Sequence, residues 1–227
     1  MRPKPIVAID GPAGAGKSTV ARLVAQALGF LYVDTGAMYR AIAWRANELG
    51  LTPDDVEPIV AMAQQSEVRL EDAPGGKQRV FLNGVDVTDA IRTPHISNLV
   101  SPISAIPGVR ARLVELQRRM GADGGVVMEG RDVQTVVFPD AEVKIFLTAS
   151  PAERARRRWL ELQQRGITAD LAQIQRDLEA RDARDSQREV APLTKAADAI
   201  EINTDGLTIE QVVERIVAVV NKPMVDG

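Results

Sequence analysis

The sequence predicts an α/β protein: a parallel sheet of about five strands flanked by helices, interrupted by a small antiparallel insert and followed by a short helical segment. Three observations carry this expectation. Apolar runs of strand length recur along the 227 residues, with helical patterns between most of them. A glycine-rich turn joins the first of these runs to the first helical pattern. The middle of the chain breaks the rhythm with three short runs separated by turn residues.

In chain order, Ile6 to Ile9 is a continuous apolar run, and Val20, Leu23, Val24, Ala27 and Leu28 follow at helical spacing until Gly29 supplies a stop. Leu31 to Val33, Gly125 to Met128, Val143 to Leu147 and Ala199 to Ile202 complete the buried-strand candidates. Between them, Val68 to Leu70, Arg79 to Leu82 and Val85 to Val87 read as short strands joined by Pro74-Gly75-Gly76 and Asn83-Gly84 turns. One helix is expected to end before Pro107, and another to run from there to about Met120, because a first helical turn tolerates proline. In the last helix Ile209, Val212, Val213, Ile216, Val217 and Val220 form one stripe, and Thr208 with Gln211 fits a capping box.

Composition excludes several function classes. With 45% hydrophobic and 26% charged residues the chain is an ordinary globular one, without an apolar run long enough to span a bilayer. The lack of cysteine excludes disulfides, Cys-ligated zinc and a thiol nucleophile. Met1-Arg2-Pro3-Lys4-Pro5 leads into a short apolar strand and not into a signal peptide's apolar region, so a cytoplasmic protein is expected. A net charge of -3 argues against duplex binding. Residues 150–190 hold nine Arg against eight Asp or Glu, a mixed stretch rather than a basic stripe. Aromatics at 4% leave few stacking platforms for single strands.

Gly11-Pro12-Ala13-Gly14-Ala15-Gly16-Lys17-Ser18 fits the Walker A pattern and sits at the strand-to-helix junction that the pattern requires. Its glycines let backbone amides converge on phosphate oxygens, Lys17 supplies charge for the β- and γ-phosphates, and the Ser18 hydroxyl suits magnesium. A nucleoside triphosphate is therefore the expected ligand. A guanine-reading protein would carry Asn-Lys-x-Asp, whereas the nearest string, Asn221-Lys222-Pro223-Met224, lacks the Asp. Motor ATPases usually end a strand in Asp, but Val126-Val127-Met128 leads into Glu129-Gly130-Arg131-Asp132, which suggests an acceptor site. On a helix Arg181, Arg184, Asp185 and Arg188 share a face. Such a face is commonly a solvated salt-bridge surface; an acceptor that is itself a phosphate would instead need several fixed guanidiniums.

Four segments combine: the Walker loop; Asp34-Thr35-Gly36-Ala37-Met38-Tyr39-Arg40; Glu129-Gly130-Arg131-Asp132 through Phe138-Pro139-Asp140; and Arg181-Asp182-Ala183-Arg184-Asp185 with Arg188. Together they resemble bacterial cytidylate kinases over nearly the whole chain. The resemblance implies a P-loop NTPase-type sheet in a single kinase domain over residues 1–227. Its core would be residues 1–50, 121–150 and 198–227, its nucleoside monophosphate insert and following helices 51–120, and its lid and Arg-rich helix 151–190. It implies transfer of the γ-phosphoryl group of ATP to CMP, with dCMP as a further acceptor and magnesium delivered as MgATP. UMP as acceptor and a non-transferring nucleotide-binding regulator are the alternatives.

By the same resemblance Lys17, Arg131 and Arg188 are catalytic. ATP is held by residues 11 to 18, Thr19, Arg157 and Arg158, and Arg154 joins the last two in a lid. Arg40, Arg131 and Arg188 hold the acceptor phosphate, Ser101, Arg110 and Asp132 read the cytosine edge, Arg181 and Asp185 hold the ribose, and Thr35 also contacts CMP. A monomer without a membrane or stable nucleic-acid partner is expected. The acceptor phosphate is already largely ionised near neutrality, so no general base is needed, and the single histidine, His95, is expected to be a structural or surface residue. Gln134 departs from the family pattern, which has a glycine there; a left-handed backbone at that position would cost about 1 to 2 kcal/mol.

Overall fold

The computed structural model describes residues 2–73 and 78–222. The expected Pro74-Gly75-Gly76 turn, and Pro223 and Met224 of the C-terminal string, lie outside the described residues. The chain opens with β1 (Ile6–Asp10), α1 (Lys17–Leu28), β2 (Leu31–Asp34), α2 (Thr35–Glu48) and α3 (Val56–Gln65). Next come β3 (Val68–Asp72), β4 (Gln78–Leu82), β5 (Val85–Asp86), α4 (Pro94–Ala105) and α5 (Pro107–Met120). It closes with β6 (Val126–Gly130), β7 (Val143–Thr148), α6 (Pro151–Gln164), α7 (Leu171–Gln187), β8 (Ile200–Asn203) and α8 (Ile209–Val220). A π-helical turn, Val133–Val137, follows β6. Two compact units are present, Val33–Ala122 in one and Met1–Tyr32 with Asp123–Gly227 in the other.

The larger unit is built on the five-stranded sheet, in the order β2-β6-β1-β7-β8. Strand β1 runs parallel to both neighbours, Ile6 opposite Val126 and Val7 opposite Val143, and β8 runs parallel to β7. All five residues of β1 are buried, the apolar run Ile6 to Ile9 as a strand covered on both faces requires, and Asp10 at its end. Val20 and Val24 of α1 and Val212 and Ile216 of α8 share one core with Val7, Ile9, Ile145 and Leu147. Each Val or Leu wholly removed from water there contributes about 1.5 to 3 kcal/mol. Two positions of the expected stripes differ. Ala27 is exposed, because Ala21 and Ala25 are the small residues that α1 turns inward, and Ile209 is 45% exposed at the first turn of α8. The Thr208–Gln211 capping box is present. Helices α6 and α7 meet over Ala155, Leu162 and Ile174, with Trp159 and Leu178 packed alongside.

In the smaller unit β3, β4 and β5 form an antiparallel sheet, Val68 opposite Leu82 and Leu82 opposite Val85. Asn83 (φ 50°) and Gly84 (φ 80°) form a two-residue turn, both in the left-handed region that such tight hairpins require. Thr93 caps α4, which ends at Ala105, and Pro107 opens α5. Among the described residues no helix is long and apolar enough to cross a membrane.

Candidate active site

The Walker loop leaves β1 at Gly11, whose φ is 149°. A Cβ there would run into the Leu147 carbonyl of β7, so the loop can pass this close only as glycine. Gly16 caps α1, and the first turn of that helix carries no acidic side chain, which leaves its amides and positive dipole end for an anion. Lys17 is 6% exposed, and its Nζ donates to the Pro12 carbonyl at 2.7 Å. Burial, with Arg131 and Arg181 adding to it, pushes the Lys17 pKa down to about 7 against the pull of Glu129 and Asp10. Ser18 and Thr19 are exposed beside it.

Asp10, the last residue of β1, is fully buried and accepts from the backbone amides of Val133 at 3.1 Å and Gln134 at 2.9 Å. Burial pushes its carboxyl up to about 6, with Asp132 adding to the rise and both amides and Lys17 opposing it. The Glu129 carboxylate accepts from the Tyr32 hydroxyl at 2.6 Å. Gln134 does not adopt a left-handed backbone: among the described residues only Asn83 and Ala191 do so without being glycine. It lies in the π-helical turn, so the strain conditional on a glycine-like φ does not arise. Its side chain accepts from the Ala196 amide at 3.1 Å and reaches the Ile145 carbonyl at 3.4 Å.

Beyond β6, Arg131 Nε donates to Asp185 Oδ2 at 3.0 Å. Arg188 Nη2 lies 3.7 Å from Asp132 Oδ1, and its Nε donates to the Ala191 carbonyl at 2.5 Å. The larger unit thus gathers the loop, Arg131, Asp132, Arg181, Asp185 and Arg188. Arg188 is a correction to the expected helix face: it caps the end of α7 in extended backbone, whereas Arg181, Arg184 and Asp185 all lie on α7, Asp185 buried and Arg184 exposed. Asp182, which had no expected role, turns inward instead: its Oδ1 accepts from the Ala13 amide at 3.0 Å. Among the expected lid arginines, Arg154 is 6% exposed against the loop and donates to the Ala13 carbonyl at 2.9 Å. Arg157 bonds Glu153 and both oxygens of Thr204, and Arg158 pairs with Glu161.

In the smaller unit Asp34 caps α2 by accepting from the Ala37 amide and holds Arg40 at 2.8 Å. Thr35 is buried at the start of that helix. Arg110 is 3% exposed, donates to the Ser104 carbonyl at 3.1 Å, and sets its guanidinium 5.3 Å from the Tyr39 ring centroid. The Ser104 hydroxyl in turn donates to the carbonyl of Ser101. Neither Tyr39 nor Ser104 was anticipated as a site residue, although Tyr39 adjoins Arg40 in the quoted segment. His95 is exposed at the surface, its Nε2 hydrogen-bonded to the Asn47 side chain at 2.8 Å.

Residues 7–222 match a family model described as cytidylate kinase. The chain is 57% identical over 221 residues to a cytidylate kinase of Desulfitobacterium hafniense, the match covering 97% of this chain and 94% of that protein. It is 54% identical over 218 residues to a bifunctional pantoate ligase/cytidylate kinase of Synechococcus elongatus, covering 94% of this chain and 41% of the longer protein. A solved structure of an uncharacterized protein from Eubacterium ventriosum shares the fold with a TM-score of 0.52 at 12% identity, over 96% of this chain and 99% of that one. Given a match to the family model along almost its whole length and a relative sharing more than half its residues, the chain belongs to the cytidylate kinase family.

Proposed function

We propose that the chain transfers the γ-phosphoryl group of ATP to CMP, giving ADP and CDP, with dCMP as a second acceptor. The observation that supports this most is a buried lysine in a phosphate loop with Arg131 and Arg181 close enough to oppose its charge. Concentrating cations at such cost suits a site that must bring two polyanions together. In this reading Arg40, Arg131 and Arg188 hold the acceptor phosphate, and Arg188 also faces the transferring group. Asp132, with Ser101 and Arg110, reads the cytosine edge; a carboxylate accepts from the N4 amine and rejects the carbonyl of uracil. Asp185 and Arg181 hold the ribose, and Thr35 adds a contact to CMP.

Among the described residues no group of three His, Cys, Asp or Glu could cage a metal ion. The exposed Ser18 hydroxyl is a hard oxygen donor of the kind that magnesium takes together with phosphate oxygens. When bound, the ion supplies charge neutralisation at the β- and γ-phosphates. The acceptor oxygen arrives ionised, so the chain's own task is in-line positioning and charge stabilisation. The test is ADP release with ATP, magnesium and CMP, dCMP, UMP, AMP, GMP or shikimate in turn. CMP is expected to give the highest catalytic efficiency, and no ADP release above background with CMP would overturn the assignment.

A further inference from the structure

Ala13, inside the phosphate loop, has both of its backbone polar groups taken by side chains from the helices that follow β7. Its amide donates to Asp182 Oδ1 of α7 at 3.0 Å, and its carbonyl accepts from Arg154 Nη1 of α6 at 2.9 Å. Asp182 and Arg154 are themselves an ion pair, and Arg154 Nε also donates to the Ala149 carbonyl. The pair is largely withdrawn from water, with side-chain exposures of 16% and 7%. The loop rests directly on α6 here, since a Cβ on Gly14 would stand 3.1 Å from the Arg154 Cβ.

The same helix touches the groups assigned to the acceptor. Three residues beyond Asp182, on the same face, Asp185 takes Arg131; three further on, Arg188 lies beside Asp132. Positions 182 to 188 span only about 9 Å of the helix and its end. A phosphate that draws Arg131 away from Asp185 therefore acts on the element that grips Ala13.

We propose that Asp182, paired with Arg154, is a positioning residue that couples the acceptor's seating to the shape of the phosphate loop, so that CMP and ATP each alter the other's affinity through α7. This rests on the acceptor reading given above. Coupling of this kind is reciprocal: the factor by which CMP changes ATP affinity equals the factor by which ATP changes that of CMP.

The experiment is calorimetric titration of the full chain with CMP and with a non-hydrolysable ATP analogue, each alone and with the other saturating. The wild type is expected to show a coupling factor of about 5 or more. Asp182→Asn, whose amide oxygen can still accept from Ala13, is expected to bring that factor toward 1 while changing the Kd for CMP alone by less than about threefold. Asp182→Glu, which keeps the charge, is expected to restore part of it. Should Asp182→Asn not fold, Arg154→Lys, which gives up the guanidinium fork, is expected to lower the factor as well. A wild-type factor of 1, or one unchanged in the folded variants, would overturn the coupling and leave the acceptor reading standing. Failure of CMP to bind the wild type would remove the acceptor reading and the coupling with it.

Discussion

Lys17 and Asp10 are adjacent charges whose burial is felt in opposite directions. ATP phosphates restore to Lys17 the charge that burial and two guanidiniums oppose, so ATP binding near pH 8 is expected to take up close to one proton. Titrations in buffers of different ionisation enthalpy measure that uptake, and a value of zero would mean that Lys17 is already charged. Lys17→Ala is expected to cut CMP-dependent ADP formation by at least about 100-fold while the chain stays folded. For Asp10 the folded pKa is raised to about 6, so its contribution to stability is full below about 4 and lost as pH rises through about 6. Wild type should therefore lose up to roughly 3 kcal/mol relative to Asp10→Asn between pH 4 and pH 7. Urea midpoints of the two proteins at both pH values check the sign, and parallel pH curves would remove Asp10 as the cause.

At the scale of elements, the π-helical turn after β6 is where the end of β1, Asp132 and the segment after α7 meet. Gln134 holds the Ala196 amide while its own amide rests on Asp10. Gln134→Met keeps the volume but leaves that amide without its acceptor, and a loss of about 1 to 3 kcal/mol in urea unfolding is expected. Two residues earlier, Asp132→Asn is expected to lower the ratio of catalytic efficiency for CMP over UMP, because an amide can present a donor or an acceptor to position 4. An unchanged ratio with both activities reduced would make Asp132 an orienting partner of Arg188. How far these elements could be read from sequence depended on what sets them. The strands and α1 were legible because local pattern and the Walker string determine them. The inward face of α7 was not, since its acids and bases occur at nearly every helical offset. The apolar spacing of Ile174 and Leu178, continued by four and then three residues, leads to Asp182 and Asp185 and was the usable signal. Gln134 offered none, as its partners are distant in sequence.

For the molecule as a whole, the fold class was legible because glycine-rich loop, buried strands and broken central rhythm agreed with one another. The roles of buried polar groups such as Asp10 and Arg154 were not, because they depend on which distant segments the sheet brings alongside. That sheet order also constrains the chain as it is made. Strand β1 is translated first, yet the two strands that flank it begin at Val126 and Val143. The ribosome must therefore release more than a hundred further residues before the earliest strand has any neighbour in its sheet, whereas β3, β4 and β5 meet partners made moments before. A nascent chain stopped at Ala122 is expected to retain no ATP in a filter assay, and one extended past Thr148 to begin to do so. The part of the sequence that was easiest to recognise is thus the part that must wait longest to acquire its shape.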